Sequence, residues 1–175
     1  MLTISILVNN QATVPIAKEN SVKDNNDMPG HLARRFQQIA VAVFLAEVGE
    51  AGFDLTPVQY AALATIKANP GLDQVTLAGL IAYDRTTITG VIDRLVQKGL
   101  IERRASPRDR RARELEITDE GRRTLRKITP AVESAQRIML RGLNAREGEE
   151  LMRLLRKAIA AGNELSRAPL RQTEA

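Results

Sequence analysis

Apolar residues recur at helical spacing along most of the chain and change to strict alternation only once. From His31 to about Gly52, Leu32, Phe36, Ile39, Val43 and Phe44 share one face of a helix of about five turns. A second helix opens at Thr56-Pro57-Val58-Gln59. There Thr56 caps, Pro57 suits the first helical position and Gln59 completes a capping box. It turns Leu63 and Ile66 inward and stops at Asn69-Pro70-Gly71. Two short helices follow. Asp73 caps one holding Leu77, Leu80 and Ile81; after a turn at Ala82-Tyr83, Asp84 caps the next, which buries Ile88, Val91 or Ile92, and Leu95. Gly99 has the left-handed role at its end, with Leu100 folding back. Alternation then sets in: Leu100, Ile101 and Arg103 lead out, Arg113, Leu115 and Ile117 return, and the polar run Ser106 to Arg111 turns the chain. Thr118-Asp119-Glu120-Gly121 starts a long helix that Pro130 is expected to bend or interrupt. Asn144-Ala145-Arg146-Glu147 starts a last one, striped with Leu151, Leu154, Leu155 and Ile159. After Leu165 the chain is polar and expected to fray.

Residues 1–29 carry no helical period and read as a flexible arm of about residues 1–30. Met28 offers a second start, so the stretch before it reads either as a mis-assigned extension or as a variable arm. The chain of 175 residues is 43% hydrophobic, enough for one core flanked by tails. Aromatics are 3% and tryptophan is absent, which favours a mainly α fold over a sandwich. The lack of cysteine excludes thiolate catalysis, disulfides and Cys-ligated zinc, and a single histidine, His31, excludes multi-His metal sites. There is no Gly-rich phosphate loop and no paired carboxylates in a plausible pocket, and the sequence shows no base beside Ser106 or Ser134. No enzyme, cofactor or metal is therefore expected. No apolar run approaches the roughly 18 residues of a membrane span, and no basic leader is present, so a cytoplasmic protein is expected.

Two short helices and a hairpin between Asp73 and Ile117 are the layout of a winged helix-turn-helix. Its second helix must enter a major groove. Arg85, Thr86, Thr89, Gly90 and Asp93 fall on one side, opposite Ile88, Ile92 and Leu95, and short hydroxyls with a glycine allow close approach; Arg85, Thr86, Thr87, Thr89, Gly90 and Arg94 are the candidate DNA contacts of this helix. Residues 101–113 hold six arginines against one Glu and one Asp, in a chain of net charge +5. Arg103, Arg104, Arg108, Arg110 and Arg111 would track phosphates, with the tip in a narrow minor groove.

These motifs resemble the MarR family of bacterial transcription regulators. The resemblance rests on Arg94-Leu95 with Gly99-Leu100, on Asp109-Arg110-Arg111 followed by Thr118-Asp119-Glu120-Gly121, and on Leu55-Thr56-Pro57 with Gln59-Tyr60. It covers about residues 31–165. It implies a DNA-binding lobe over about 55–120 and dimerisation helices over about 31–52 and 130–165, with a tail at 166–175. It assigns Arg111 to the wing tip with Arg110 a close rival, and makes Asp109 a support, paired with Arg94 or another basic residue. Many members respond to small ligands, often aromatic acids. The opening His31-Leu32-Ala33-Arg34-Arg35-Phe36-Gln37-Gln38-Ile39 is similar to members tied to aromatic-acid catabolism. His31, Arg34, Arg35 and Gln38 are thus the ligand candidates, a guanidinium being a suitable carboxylate clamp; the plain alternative is a helix start with solvated charges. The missing cysteines depart from the peroxide-sensing branch, and the single histidine from the zinc-sensing one.

The expected function is a homodimeric, sequence-specific DNA-binding regulator, a repressor released by a small organic ligand such as an aromatic carboxylate. Its operator is expected to be pseudo-palindromic, with half-site centres about one helical turn apart. The alternatives are an architectural DNA-binding protein without sequence preference or ligand, and an adaptor for an acidic protein surface.

Overall fold

In the computed structural model of the chain, residues 27–106 and 113–171 are described. The expectations for residues 1–26 and for Arg108, Asp109, Arg110 and Arg111 lie outside them. The chain divides into two compact units, Met1–Arg35 and Phe36–Ala175. The described part of the first is a turn at Asp27 and Met28 and the opening of helix α1 (Pro29–Glu50), where Leu32 N donates to Met28 O at 2.9 Å.

The second unit continues α1 and adds α2 (Pro57–Ala68), α3 (Gln74–Leu80), α4 (Arg85–Gln97), β1 (Ile101–Ala105), β2 (Arg113–Ile117), α5 (Asp119–Met139) and α6 (Ala145–Gly162). This is the mainly helical, winged arrangement that the hydrophobic pattern predicts. Side-chain caps set the boundaries. Thr56 Oγ1 accepts from Gln59 N at 3.3 Å while Gln59 Oε1 accepts from Thr56 N at 3.1 Å, the reciprocal box that starts α2. Asp73 receives Val75 N and Thr76 N at 2.7 and 2.9 Å, and Asp84 receives Thr87 N at 2.9 Å. Between α3 and α4 the chain turns through Ala82 at φ 54°. An alanine held there costs about 1 kcal/mol, so packing on both sides must hold the turn. Gly99, at φ 67°, ends α4, and Leu100 N donates back to Leu95 O at 3.0 Å.

One core gathers Leu63 and Ile66 of α2, Leu77 of α3, Ile88, Ile92 and Leu95 of α4, Ile101 and Leu115 of the hairpin, and Ile128 of α5. Each stabilises the fold by roughly 1.5–3 kcal/mol. Val91 and Ile92 are both buried, so the sequence alternative between them resolves into both. The hairpin pairs Ile101 with Ile117 and Arg103 with Leu115. A third stretch joins it: Leu115 N donates to Leu72 O at 2.9 Å, and Asp73 bridges to Glu114. The wing is thereby tied to the start of α3.

The apolar face of α1 is only partly covered, and two expectations, at Pro130 and beyond Leu165, are corrected. Leu32 and Ile39 are 55% and 46% exposed, whereas Phe44 and Val48 carry the burial of α1. Its apolar face is longer than the core that its C-terminal part meets. Pro130 does not interrupt α5, which runs unbroken from Asp119 to Met139. The proline sits on an exposed face, as does Arg126, whose carbonyl loses its helical partner there. Finally, the described chain from Ser166 to Arg171 does not fray. After a 3-10 turn at Asn163–Leu165, Asn163 Oδ1 accepts from Leu170 N at 2.8 Å and its Nδ2 donates to Leu170 O at 3.2 Å. Arg171 N then donates to Gly79 O at 2.9 Å. Polar composition predicted fraying, but backbone bonds to α3 and to Asn163 need no apolar side chains.

Helix α6 has no buried residue; Leu154 and Ile159 are 48% and 60% exposed, and Leu151 and Leu155 half-buried.

Candidate nucleic-acid interface

Helix α4 has two chemically distinct faces. Ile88, Val91, Ile92 and Leu95 hold it in the core, while Arg85, Thr86, Thr87, Thr89, Gly90 and Arg94 are exposed. A Cβ added at Gly90 would meet nothing within 4 Å, so the helix backbone is open to a close-approaching surface there. Arg85 has no ion-pair partner among the described residues.

Two of the threonines also have structural roles. Thr87 Oγ1 donates to Asp84 Oδ2 at 2.7 Å, reinforcing the cap of α4. Thr89 Oγ1 donates to Arg85 O at 2.8 Å and accepts from Gln74 Nε2 at 2.6 Å, which fixes α3 against α4. Gln74 was not legible as a site residue, because nothing in sequence links positions fifteen apart.

On the outgoing strand of the wing, Arg103 and Arg104 are engaged rather than free for phosphate. Arg103 pairs with Asp93 at 2.5 Å, bracing the hairpin on the recognition helix. Arg104 pairs with Glu102, and with Glu116 at 3.0 Å; the hydrogen bond and charge of Glu102, then the charge of Glu116, raise its pKa. Arg113 remains exposed and without an ion-pair partner among the described residues. Lys98 reaches Asp54 at 2.6 Å, and that hydrogen bond and charge lower the Asp54 carboxyl. Arg94 adds a smaller lowering there.

The carboxyl of Asp73 feels opposing influences. Burial raises it, but hydrogen bonds from Thr76 and Val75 outweigh burial and leave it below the usual value. A carboxyl lowered in the folded state contributes stability fully above its unfolded pKa of about 4, and loses it as pH falls through the folded value. Asp73→Asn should therefore flatten the acid limb of stability below about pH 4 relative to the wild type. Melting temperatures between pH 2 and 7 check this.

The wing closes onto α5 through Thr118. Its hydroxyl donates to Gly99 O at 2.7 Å and accepts from Gly121 N at 3.0 Å, while its own N donates to Leu100 O at 3.1 Å. Of the ligand candidates on α1, His31 is half-buried and Arg34, Arg35 and Gln38 are exposed. Among the described residues no cluster of His, Asp or Glu is placed to hold a metal ion, and no helix is long and apolar enough to cross a membrane.

The family model described as MarR family matches residues 55–112, from the start of α2 to the wing. The crystal structure of the PcaV regulator of Streptomyces coelicolor with its natural ligand is 35% identical, with a TM-score of 0.74, over 82% of this chain and 99% of that one. This chain belongs to the MarR family. Other MarR-like relatives agree. The HTH-type transcriptional repressor NicR of Pseudomonas putida is 29% identical over 81% of this chain and 88% of its own length. Bordetella bronchiseptica BpsR, whose structure concerns regulation of DNA binding by 6-hydroxynicotinic acid, is 30% identical with a TM-score of 0.72, over 77% of this chain and 95% of that one. As a MarR-family protein the chain is a DNA-binding transcriptional regulator and not an enzyme. Of the MarR motifs quoted from the sequence, Leu55 to Tyr60 fall at the start of α2, Arg94-Leu95 with Gly99-Leu100 at the end of α4, and Thr118 to Gly121 at the start of α5; Asp109-Arg110-Arg111 lie outside the described residues.

Proposed function

We propose that this MarR-family regulator is a homodimeric, sequence-specific repressor that leaves its operator on binding a small aromatic carboxylate. The observation that carries the DNA-binding part is the outer face of α4. Small hydroxyls and the open Gly90 sit between Arg85 and Arg94, on a helix held rigidly by Ile88, Ile92 and Leu95. Arg85, Thr86, Thr87, Thr89, Gly90 and Arg94 are proposed to face bases and flanking phosphates. Arg108, Arg110 and Arg111 of the wing follow the backbone into a minor groove, with Asp109 steadying them.

The DNA-binding lobe spans about residues 55–120 in this reading. The stripe Leu151, Leu154, Leu155 and Ile159, none of it fully buried among the described residues, supports a second copy as its cover, through helices over about 31–52 and 130–165. Two-fold symmetry then calls for a pseudo-palindromic site. The effector class rests on the relatives: BpsR responds to 6-hydroxynicotinic acid. His31, Arg34, Arg35 and Gln38 are the residues proposed to receive the carboxylate. The place of action is the cytoplasm, where the DNA is.

A ligand can release DNA only if it binds the two states unequally. The test is a thermal shift with 6-hydroxynicotinate, benzoate and hydroxybenzoates, followed by displacement from operator. At a hundredfold excess over Kd a fitting acid raises the melting temperature by roughly 5–10 °C and frees the DNA. If no acid does either, the aromatic-acid reading is wrong.

A further inference from the structure

The segment after α6 runs back onto the helix-turn-helix, and α3 is shaped to admit it. Arg171 N donates to Gly79 O, and a Cβ on Gly79 would stand 3.0 Å from Arg171 Cγ and 3.1 Å from its Cβ. Asn163 brackets Leu170 from the other side with its two hydrogen bonds. The chain between these anchors lies beside the turn from α3 to α4. A groove of about 380 Å³ opens there, and Arg85, Arg167, Arg171 and Asp84 supply its charged lining. An adjoining groove of about 660 Å³ carries Arg167 on to Thr86, in the first turn of the recognition helix.

Three arginines thus line this groove with a single carboxylate, and that carboxylate is already taken. Asp84 receives Thr87 N and Thr87 Oγ1 as the cap of α4. Among the described residues none of Arg85, Arg167 and Arg171 has an ion-pair partner, and both Arg167 and Arg171 are exposed. Like charges collected on one groove repel one another until an anion lies across them. The first turn of a recognition helix meets the edge of a major groove about 12 Å wide, so cations beside that turn stand next to a bordering phosphate strand.

We propose that the segment Ser166–Arg171 is a DNA-contacting element additional to α4 and the wing, in which Arg167 and Arg171 bind duplex phosphates beside the start of α4. The inference rests on the DNA-binding reading of α4 given above. Duplex DNA is the occupant because it supplies several fixed anions along one edge, matching separated, exposed guanidiniums. Such contacts add affinity and salt dependence but carry no sequence information.

The test measures affinity against salt concentration for full-length protein on a duplex from upstream of its own gene and on a shuffled duplex of equal composition. The double variant Arg167→Ala with Arg171→Ala should lower the slope of log affinity on log salt by about 1 to 2. It should weaken binding to both duplexes by the same factor. The double variant Arg167→Lys with Arg171→Lys should recover the wild-type slope, since charge is kept while the guanidinium packing is lost. An unchanged slope in the alanine variant overturns this inference and leaves the regulator reading standing. A lowered slope that lysine does not restore also overturns it, by pointing to packing. A wild type that binds neither duplex overturns the DNA-binding reading of α4, and this inference with it.

Discussion

Gly121→Ala is expected to lower the melting temperature by roughly 6–12 °C, corresponding to a loss of about 3 kcal/mol. The added Cβ would fall 2.1 Å from Leu100 O and 2.8 Å from Ile117 Cγ1. No side chain can swing aside to relieve the first contact, because Leu100 O is a backbone atom bonded to Thr118 N. Helix α5 would have to move away from the strand that ends the wing, opening the junction that Thr118 seals. The sign is informative. Alanine is the better helix former by about 1 kcal/mol, so propensity alone predicts stabilisation. Thermal unfolding followed by circular dichroism separates the two, and a variant as stable as the wild type would contradict the close packing of α5 on the hairpin.

Gly90→Glu is expected to do the reverse: keep the fold and lose the DNA. Its side chain enters open space, and replacing a helical glycine favours the helix by roughly 0.5–1 kcal/mol. The melting temperature should hold or rise slightly. Against DNA, the carboxylate would block close approach and stand near phosphates, a like-charge placement that costs several kcal/mol. Operator affinity should therefore fall about a hundredfold or more. Gly90→Ala should give a smaller loss, because a methyl obstructs without repelling. Fluorescence anisotropy with labelled duplex reads both. Undiminished binding by the glutamate variant would remove α4 from the interface.

Those two glycines show what the sequence could and could not disclose. Gly90 was legible as part of a DNA-facing surface, because its period places it opposite Ile88, Ile92 and Leu95. Gly121 was legible as a helix-start motif with Thr118, but its reason, a collision with Leu100 O, exists only after folding. The caps at Thr56, Asp73, Asp84, Thr118 and Asn144 were all readable, since capping is local chemistry between residues two or three apart. What escaped was non-local. The brace from Arg103 to Asp93, the bond from Gln74 to Thr89 and the pairing of Leu115 with Leu72 leave no periodic trace. The return of the chain to Gly79 was masked for a related reason. Hydropathy reads polar residues as solvent-bound, and backbone hydrogen bonds have no hydropathy. At Pro130 only the expected interruption fails: the cost of a proline inside a helix is real, but it falls on an exposed face, where the unbonded carbonyl is open to solvent.

The central claim is that α4 and the wing read a particular duplex. Equilibrium competition between the duplex upstream of the protein's own gene and a shuffled duplex of equal composition, at physiological salt, tests it most directly. The account predicts a preference of about a thousandfold or more for the genomic duplex. Equal affinity for the two would contradict it and favour an architectural protein that grips phosphates alone.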